Sequence, residues 1–181
     1  MELIEGIKSR RSIRKFTADP VSAADVEKVV DAARFSPTWK NTQVVRYSLV
    51  LNKEVKDKIA DEAVLGFAHN TEIIKNAPTL VVVSIKDHIS GYERDGSATT
   101  SQGDHWQSYD AGICSDAFCL AAYAYGLSTV ILGIFDEAKV ADLITLPEGQ
   151  KVAALIPIGH ADEAPQAPKK KEVSDLLRVV E

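Results

Sequence analysis

Cysteine is scarce: the 181 residues hold only two, Cys114 and Cys119. Set five apart in a run of helix formers, they point to different faces of one helix, which disfavours a bridge and leaves two buried small hydrophobes. No apolar run follows Met1, where Glu2, Glu5, Lys8, Arg10 and Arg11 come at once, so no signal peptide is expected. The longest apolar stretch, Ala117 to Ile134, is broken by Tyr, Ser, Thr and two glycines and lacks the flanking charges of a membrane span. Basic residues are not in excess either: 21 Lys and Arg against 26 Asp and Glu give a net charge of −5, the wrong sign for a nucleic-acid partner. Together these absences predict a cytoplasmic protein that binds neither membrane nor nucleic acid.

Catalytic signatures are equally sparse. No GxGxxG or GxxxxGK follows a predicted strand, which removes the glycine-loop phosphate cradles. His69, His88, His105 and His160 have no metal-ligand spacing of the HExxH kind, and no Cys-His or Ser-His pairing marks a nucleophile. Neither a metal nor a catalytic side chain is therefore nominated.

What the chain does contain is a core: 45% apolar residues over a length that suits one domain, residues 1–181. Leu3, Ile4 and Ile7 predict a short first helix ending near Arg10-Arg11-Ser12. Ser22 and Asp25 form a capping-box pattern ahead of Val26, Val29, Val30 and Ala33, and Pro37 stops that helix. Residues 43–51 read as a strand, 53–64 and 70–76 as helices. The run Leu80-Val81-Val82-Val83-Ser84-Ile85 reads as a strand buried on both faces, at the centre of the sheet. Residues 90–104 have no period and read as a lid or mobile loop without its own structure. Asp110 to Tyr125 is a helix apolar nearly all round, which needs cover from another surface. Residues 127–134 and 152–158 read as strands with a helix over 136–144 between them, and 161–171 as an extended arm. On pattern alone the fold class is mixed α and β.

Four segments stand out for chemistry, the last being Lys169-Lys170-Lys171 behind the proline-containing arm, which a disordered basic tail would explain as well. Arg10-Arg11-Ser12-Ile13-Arg14-Lys15 offers forked guanidinium donors and a hydroxyl that suit a phosphate dianion, although a solvated basic surface has the same composition. In Pro37-Thr38-Trp39-Lys40-Asn41-Thr42-Gln43 the two amides offer donor and acceptor together, which suits a pyrimidine-like ring edge; an Asn/Thr turn reads the same way. Gly133, at the end of a strand, permits close approach of a flat ligand or simply a turn.

In their order along the chain these pieces resemble the nitroreductase family of flavoproteins. The resemblance rests on Arg10-Arg11-Ser12-x-Arg14-x-Phe16, on Pro37-Thr38-x-x-Asn41-x-Gln43, on Gly126-Leu127-Ser128-Thr129 through Gly133 to Phe135-Asp136, and on Gly159-His160 followed by a proline arm and Lys169-Lys170. It implies an α+β fold, a largely antiparallel central sheet wrapped by helices, in an intertwined homodimer with FMN between the subunits. Arg10, Arg11, Ser12 and Arg14 would hold the FMN phosphate, with Lys169 or Lys170 assisting from the other end of the chain. Asn41 would meet the ring edge, while Pro37, Thr38 and Trp39 would reach the flavin bound mainly to the other subunit. Backbone of Ile131, Leu132 and Gly133 would lie near N5. Some relatives carry a basic residue near N1 and the C2 carbonyl; this chain has Ile73 there, with Asn70 a nearby polar candidate. Thr38 and Ser128 depart from the commoner Ser and Gly.

Such a protein is implied to pass hydride from NADH or NADPH through the flavin to a small acceptor, a nitroaromatic or quinone, by a ping-pong scheme. Two alternatives are a reductive dehalogenase-like or flavin-modifying enzyme, whose amino-acid substrate would meet Tyr92, Glu93 and Arg94, and a flavin-binding protein without turnover.

Overall fold

The computed structural model describes residues 2–181. Along the chain run α1 (Leu3–Ser9), α2 (Ala23–Ala33), a 3-10 turn (Trp39–Asn41), β1 (Val45–Val50), α3 (Lys53–Glu62), α4 (Ala68–Asn76), β2 (Thr79–Lys86), α5 (His105–Ala124), β3 (Ser128–Thr129), α6 (Glu137–Ile144), β4 (Gln150–Gly159) and α7 (Val173–Leu176). The strands form one sheet in the order β1-β2-β4-β3, antiparallel at every step. Mixed α and β thus resolves into the α+β class with an antiparallel sheet.

β2 is buried at every position but its last because its alternating side chains enter two cores. Leu80 and Val82 pack with Ile59 of α3, Ile73 and Ile74 of α4 and Val140 of α6. Val81 and Val83 point the other way, to Val26 and Val29 of α2 and Phe118, Cys119 and Ala122 of α5. Each such side chain contributes about 1.5–3 kcal/mol by leaving water, so β2 is the axis on which both helical layers are hung. Local signals start the helices. Ser22 and Asp25 make both halves of the capping box at α2, Asn52 accepts from Glu54 N and Val55 N at α3, and Asp136 accepts from Lys139 N at α6.

Three expectations are corrected. β3 is far shorter than 127–134: Thr129 pairs with Ile158 and Leu132 with Leu155, so one register continues, but Val130 then falls opposite Pro157. A proline has no N–H to give, and the ladder is interrupted there. α5 starts at His105, earlier than the expected Asp110. The 90–104 segment is no structureless loop but a small hairpin, with Tyr92 bridging Ala98, Glu93 N donating to Ser97 O (2.9 Å) and Thr99 N to Gly91 O (2.8 Å). The demand of α5 for cover is only partly met within one chain: Tyr109, Gly112, Asp116 and Ala124 are exposed, and Ile113, Leu120 and Ala121 half-buried.

Gly159, at the end of β4, marks the tightest crossing. A Cβ there would sit 2.6 Å from Pro78 Cδ and 2.9 Å from Phe16 Cδ1. Gly159→Ala is therefore expected to destabilise the fold by about 1–3 kcal/mol, the usual scale of overpacking. Urea unfolding checks this; an unchanged midpoint would mean that Phe16 and Pro78 yield freely.

Candidate functional site

The backbone leaves α1 at Arg10 in an extended conformation and adds itself to the sheet. Ser12 pairs parallel to Thr129, with Ile13 N donating to Thr129 O at 3.0 Å. Phe16 then pairs antiparallel to Ala161, Thr17 N donates to His160 O (2.9 Å) and Asp162 N to Lys15 O (2.9 Å). Buried Ile13 and Phe16 anchor this strand, and Phe16 N donates to Asn76 Oδ1 at 2.6 Å. Arg10, Arg11 and Ser12 lie just ahead of the first anchor, and Arg14 stands between the two. Among the described residues no carboxylate forms a salt bridge with any of the three guanidiniums. Arg11 Nη1 turns back to Lys8 O and Arg10 O (2.7 Å each), and Arg14 Nη1 lies 3.2 Å from Ser12 O. Clustered cations lacking counter-ions favour an anion site over a neutralised surface. A concavity of about 370 Å³, lined by Arg11, Ile13, Tyr123, Ser128 and Pro165, opens beside them. Glu163, which sequence reasoning missed, closes the same corner: Arg14 N and Lys15 N both donate to its Oε1, at 2.5 and 3.2 Å. Lys169 and Lys170 are exposed on the arm and touch none of this cluster by hydrogen bond or ion pair.

From Thr129 the chain runs past Leu132, doubly bonded to Leu155 (2.8 and 3.1 Å), to Ile134, whose carbonyl accepts from the buried Asn70 Nδ2 at 3.2 Å. Ile131 and Gly133 are exposed, and no atom lies within 4 Å of where a Gly133 Cβ would be. Arg10 to Arg14, Asn70 and 131–133 are thus joined along one stretch of chain. Ile131 also faces a cleft of about 440 Å³ shared with Gln107, Gly112 and Ser115 of α5.

The loop after α2 stands elsewhere. Trp39 N donates to both carboxylate oxygens of Asp110 (3.1 Å each), Gln43 N to Thr38 Oγ1 (2.9 Å), and the Trp39 ring packs on Trp106 with centroids 4.5 Å apart. Pro37 and Asn41 are exposed. Tyr47 OH donates to Cys114 O (3.1 Å), so this neighbourhood packs on the α5 side bearing Asp110 and Cys114. Gln107, Gly112 and Ser115, at the Ile131 cleft, lie about 60–160° around the helix from Asp110. One chain therefore holds the 37–43 loop and the 131–133 segment against different faces of α5. A concavity of about 830 Å³ between α2 and β1 includes Thr38, Arg34 and Arg46 but not Arg10, Arg11 or Arg14.

Burial raises the thiol pKa of Cys114 and Cys119, so neither supplies a nucleophile at neutral pH. Asp87, His88 and Asp104 bring potential metal ligands within 4.8 Å of one another. Asp87, however, is already engaged by Lys151 Nζ (2.9 Å) and Gln107 Nε2 (3.1 Å), and Asp104 by the Tyr92 hydroxyl. Burial pushes the Asp87 carboxyl up, but the donors Lys151, Gln107 and His88 together outweigh it and hold the carboxyl below its ordinary value. A depressed carboxylate contributes stability above its unfolded pKa and loses it as pH falls through the folded one. Asp87→Asn is accordingly expected to be less stable than wild type at pH 7, with the gap closing below about pH 4. Denaturant curves at both pH values check this; a gap that persists in acid would assign the loss to packing.

The chain matches the family model described as "Nitroreductase family" over residues 7–72 and 67–160. It is 29% identical over 171 residues to an NADPH-flavin oxidoreductase of Vibrio harveyi, covering 90% of this chain and 67% of that protein. The solved structure of NADPH:FMN oxidoreductase from Vibrio harveyi complexed with NAD+ superposes with a TM-score of 0.81 at 26% identity, over 98% of this chain and 76% of the other. An iodotyrosine deiodinase of Nematostella vectensis is 23% identical over 201 residues, 97% of this chain and 74% of that protein.

Proposed function

Because this chain belongs to the nitroreductase family, we propose that it is an FMN-dependent NAD(P)H oxidoreductase, residues 1–181 acting as one cytoplasmic unit that pairs with a second copy to close two shared sites. The carrying observation is the cluster of guanidiniums without counter-ions at the head of the stretch that leads to Gly133. FMN, when bound, would supply the hydride-transfer chemistry, and the chain's own residues would hold and orient it. Arg10, Arg11, Ser12 and Arg14 hold the phosphate, Lys169 or Lys170 swinging in from the arm. The exposed residues Ile131 and Gly133, with buried Leu132 pinned to Leu155 between them, would support the ring near N5. Asn70 gives the polar contact toward the C2 carbonyl.

Pro37, Thr38, Trp39 and Asn41 serve the flavin of the partner copy. Their separation from Ile131 across α5 supports this, as does the half-covered face of that helix, since exposed apolar surface of that kind is stabilised by a partner. One cleft serving donor and acceptor in turn implies ping-pong turnover of nitroaromatics or quinones. The similarity to an iodotyrosine deiodinase favours a second reading, reductive dehalogenation of an amino acid at Tyr92, Glu93 and Arg94. Against it, Tyr92 is engaged with Asp104, and Glu93 with Lys40 (3.2 Å) and Thr99 (2.8 Å). Turnover with halotyrosines rather than nitroaromatics would reverse that preference. A flavin binder without turnover would retain oxidised flavin when mixed anaerobically with NADH or NADPH.

FMN is expected to bind far more tightly than riboflavin. Arg14→Ala should weaken FMN about 10- to 100-fold, the scale of one charge-assisted contact, and leave riboflavin unchanged. Flavin fluorescence titration reads both; equal affinities for the two flavins in wild type would remove the phosphate assignment.

A further inference from the structure

The hairpin over 90–104 has no task in the reading above, yet it meets the 37–43 loop at one buried carboxylate. Asp110 is only 2% exposed, near the start of α5. Among the described residues no cation pairs with it; its partners are Trp39 N, 3.1 Å from each oxygen, and Ser90 Oγ, 2.5 Å from Oδ2. The Ser90 hydroxyl lies in turn 3.0 Å from Thr42 Oγ1. A buried carboxylate is tolerated only where donors are well placed, so these four groups hold one another in a single arrangement.

What they hold is strained. Lys40, Asn41 and Gln43 all have left-handed backbone, with φ of 45°, 56° and 50°. Three such residues, none of them glycine, within four positions persist only where the surroundings over-determine them. Asp110 fixes the N–H just ahead of this stretch, and Ser90 with Thr42 fixes its middle. The hairpin base adds a rigid backing. Trp106, packed at a tilt of 48° on Trp39, donates Nε1–H to Thr100 Oγ1 at 3.0 Å, and a Cβ on Gly91 would collide with Gly103 O at 2.6 Å.

We infer that Asp110 is a positioning residue of the flavin site: through Trp39 N–H and Ser90 it locks the strained 37–43 loop onto the hairpin base, and so sets Asn41 and Trp39 against the ring of a flavin held by the partner copy. This rests on the shared-site reading above. It makes the hairpin a structural member of the site rather than a detachable flap.

The test uses the full chain, with and without FMN, in wild type, Asp110→Ala, Asp110→Asn and Ser90→Ala. Three readouts are taken: tryptophan emission of the flavin-free protein, FMN Kd, and the single-turnover rate of flavin reduction by NAD(P)H beside Tm. Asp110→Ala is expected to shift the tryptophan emission, weaken FMN and slow reduction, the last by about 10- to 100-fold, as a small misplacement of reacting groups does. In Asp110→Asn the amide oxygen still accepts from Trp39 N–H and its NH2 can donate to Ser90, so most of the rate should return. Ser90→Ala should slow reduction by more than its fall in Tm accounts for, and it carries the test if Asp110→Ala fails to fold. Wild-type rates and FMN Kd in both Asp110→Asn and Ser90→Ala, with Asp110→Ala either normal or unfolded, overturn the positioning role while leaving the flavin reading intact. A fall in rate that only tracks Tm, with no recovery in Asp110→Asn, overturns it too. A wild type that binds no flavin overturns both readings together.

Discussion

The bond from Ile13 N to Thr129 O, 3.0 Å long, sets where the cation cluster stands. Through it the N-terminal strand joins the edge of the sheet, and the anchors Ile13 and Phe16 keep Arg10 to Arg14 from drifting into solvent. The edge is available because β3 is the last strand of the sheet and Thr129 turns its carbonyl away from β4. Gly159 leaves the gap that Phe16 and Pro78 fill. An open sheet edge, a glycine and two apolar side chains thus turn a charge run, ordinarily a solvated surface, into an organised one.

α5 is the second constraint. Its 20 residues form a wall between the 37–43 loop and the 131–133 segment. Both segments carry the features that the resemblance assigns to one flavin, but a single chain presents them on different faces of that helix. The exposed side of the wall carries Gly112, Asp116 and Ala124, small enough apart from Asp116 for close approach of another helix. The proposed second copy would resolve both problems at once, by covering the helix and by bringing its own 37–43 loop to the first copy's ring.

Much of this was legible in the residues themselves. Leu80 to Ile85 could only be a doubly buried strand, and Ser22 with Asp25 announced α2, because burial and capping depend on neighbours in sequence. The cation cluster and the Asn41 loop were visible as motifs. What was not legible depends on contacts far along the chain. The loss of pairing at Val130 follows from register against Pro157, which no local period reveals. Asp110 reads in sequence as an acid in the first turn of a helix, and nothing local links it to Trp39 or Ser90. The 90–104 hairpin is polar throughout and is turned by Gly91 and Gly96 at φ 85° and 83°, so hydrophobic periodicity has nothing to report. Glu163 was hidden in an arm whose path is set by pairing between Ala161 and Phe16.

Sharing of the site between copies is the central claim, and subunit mixing tests it most directly. Subunits carrying Arg14→Ala and subunits carrying Asn41→Ala, each weak as a homodimer, are co-expressed with different tags and the mixed dimer is isolated. One site of that dimer then carries both lesions and the other neither. The account predicts recovery to about half of wild-type turnover per dimer, as two-fold symmetry requires. Turnover no higher than the mean of the two parents would contradict it, because each lesion would then lie in its own chain's site.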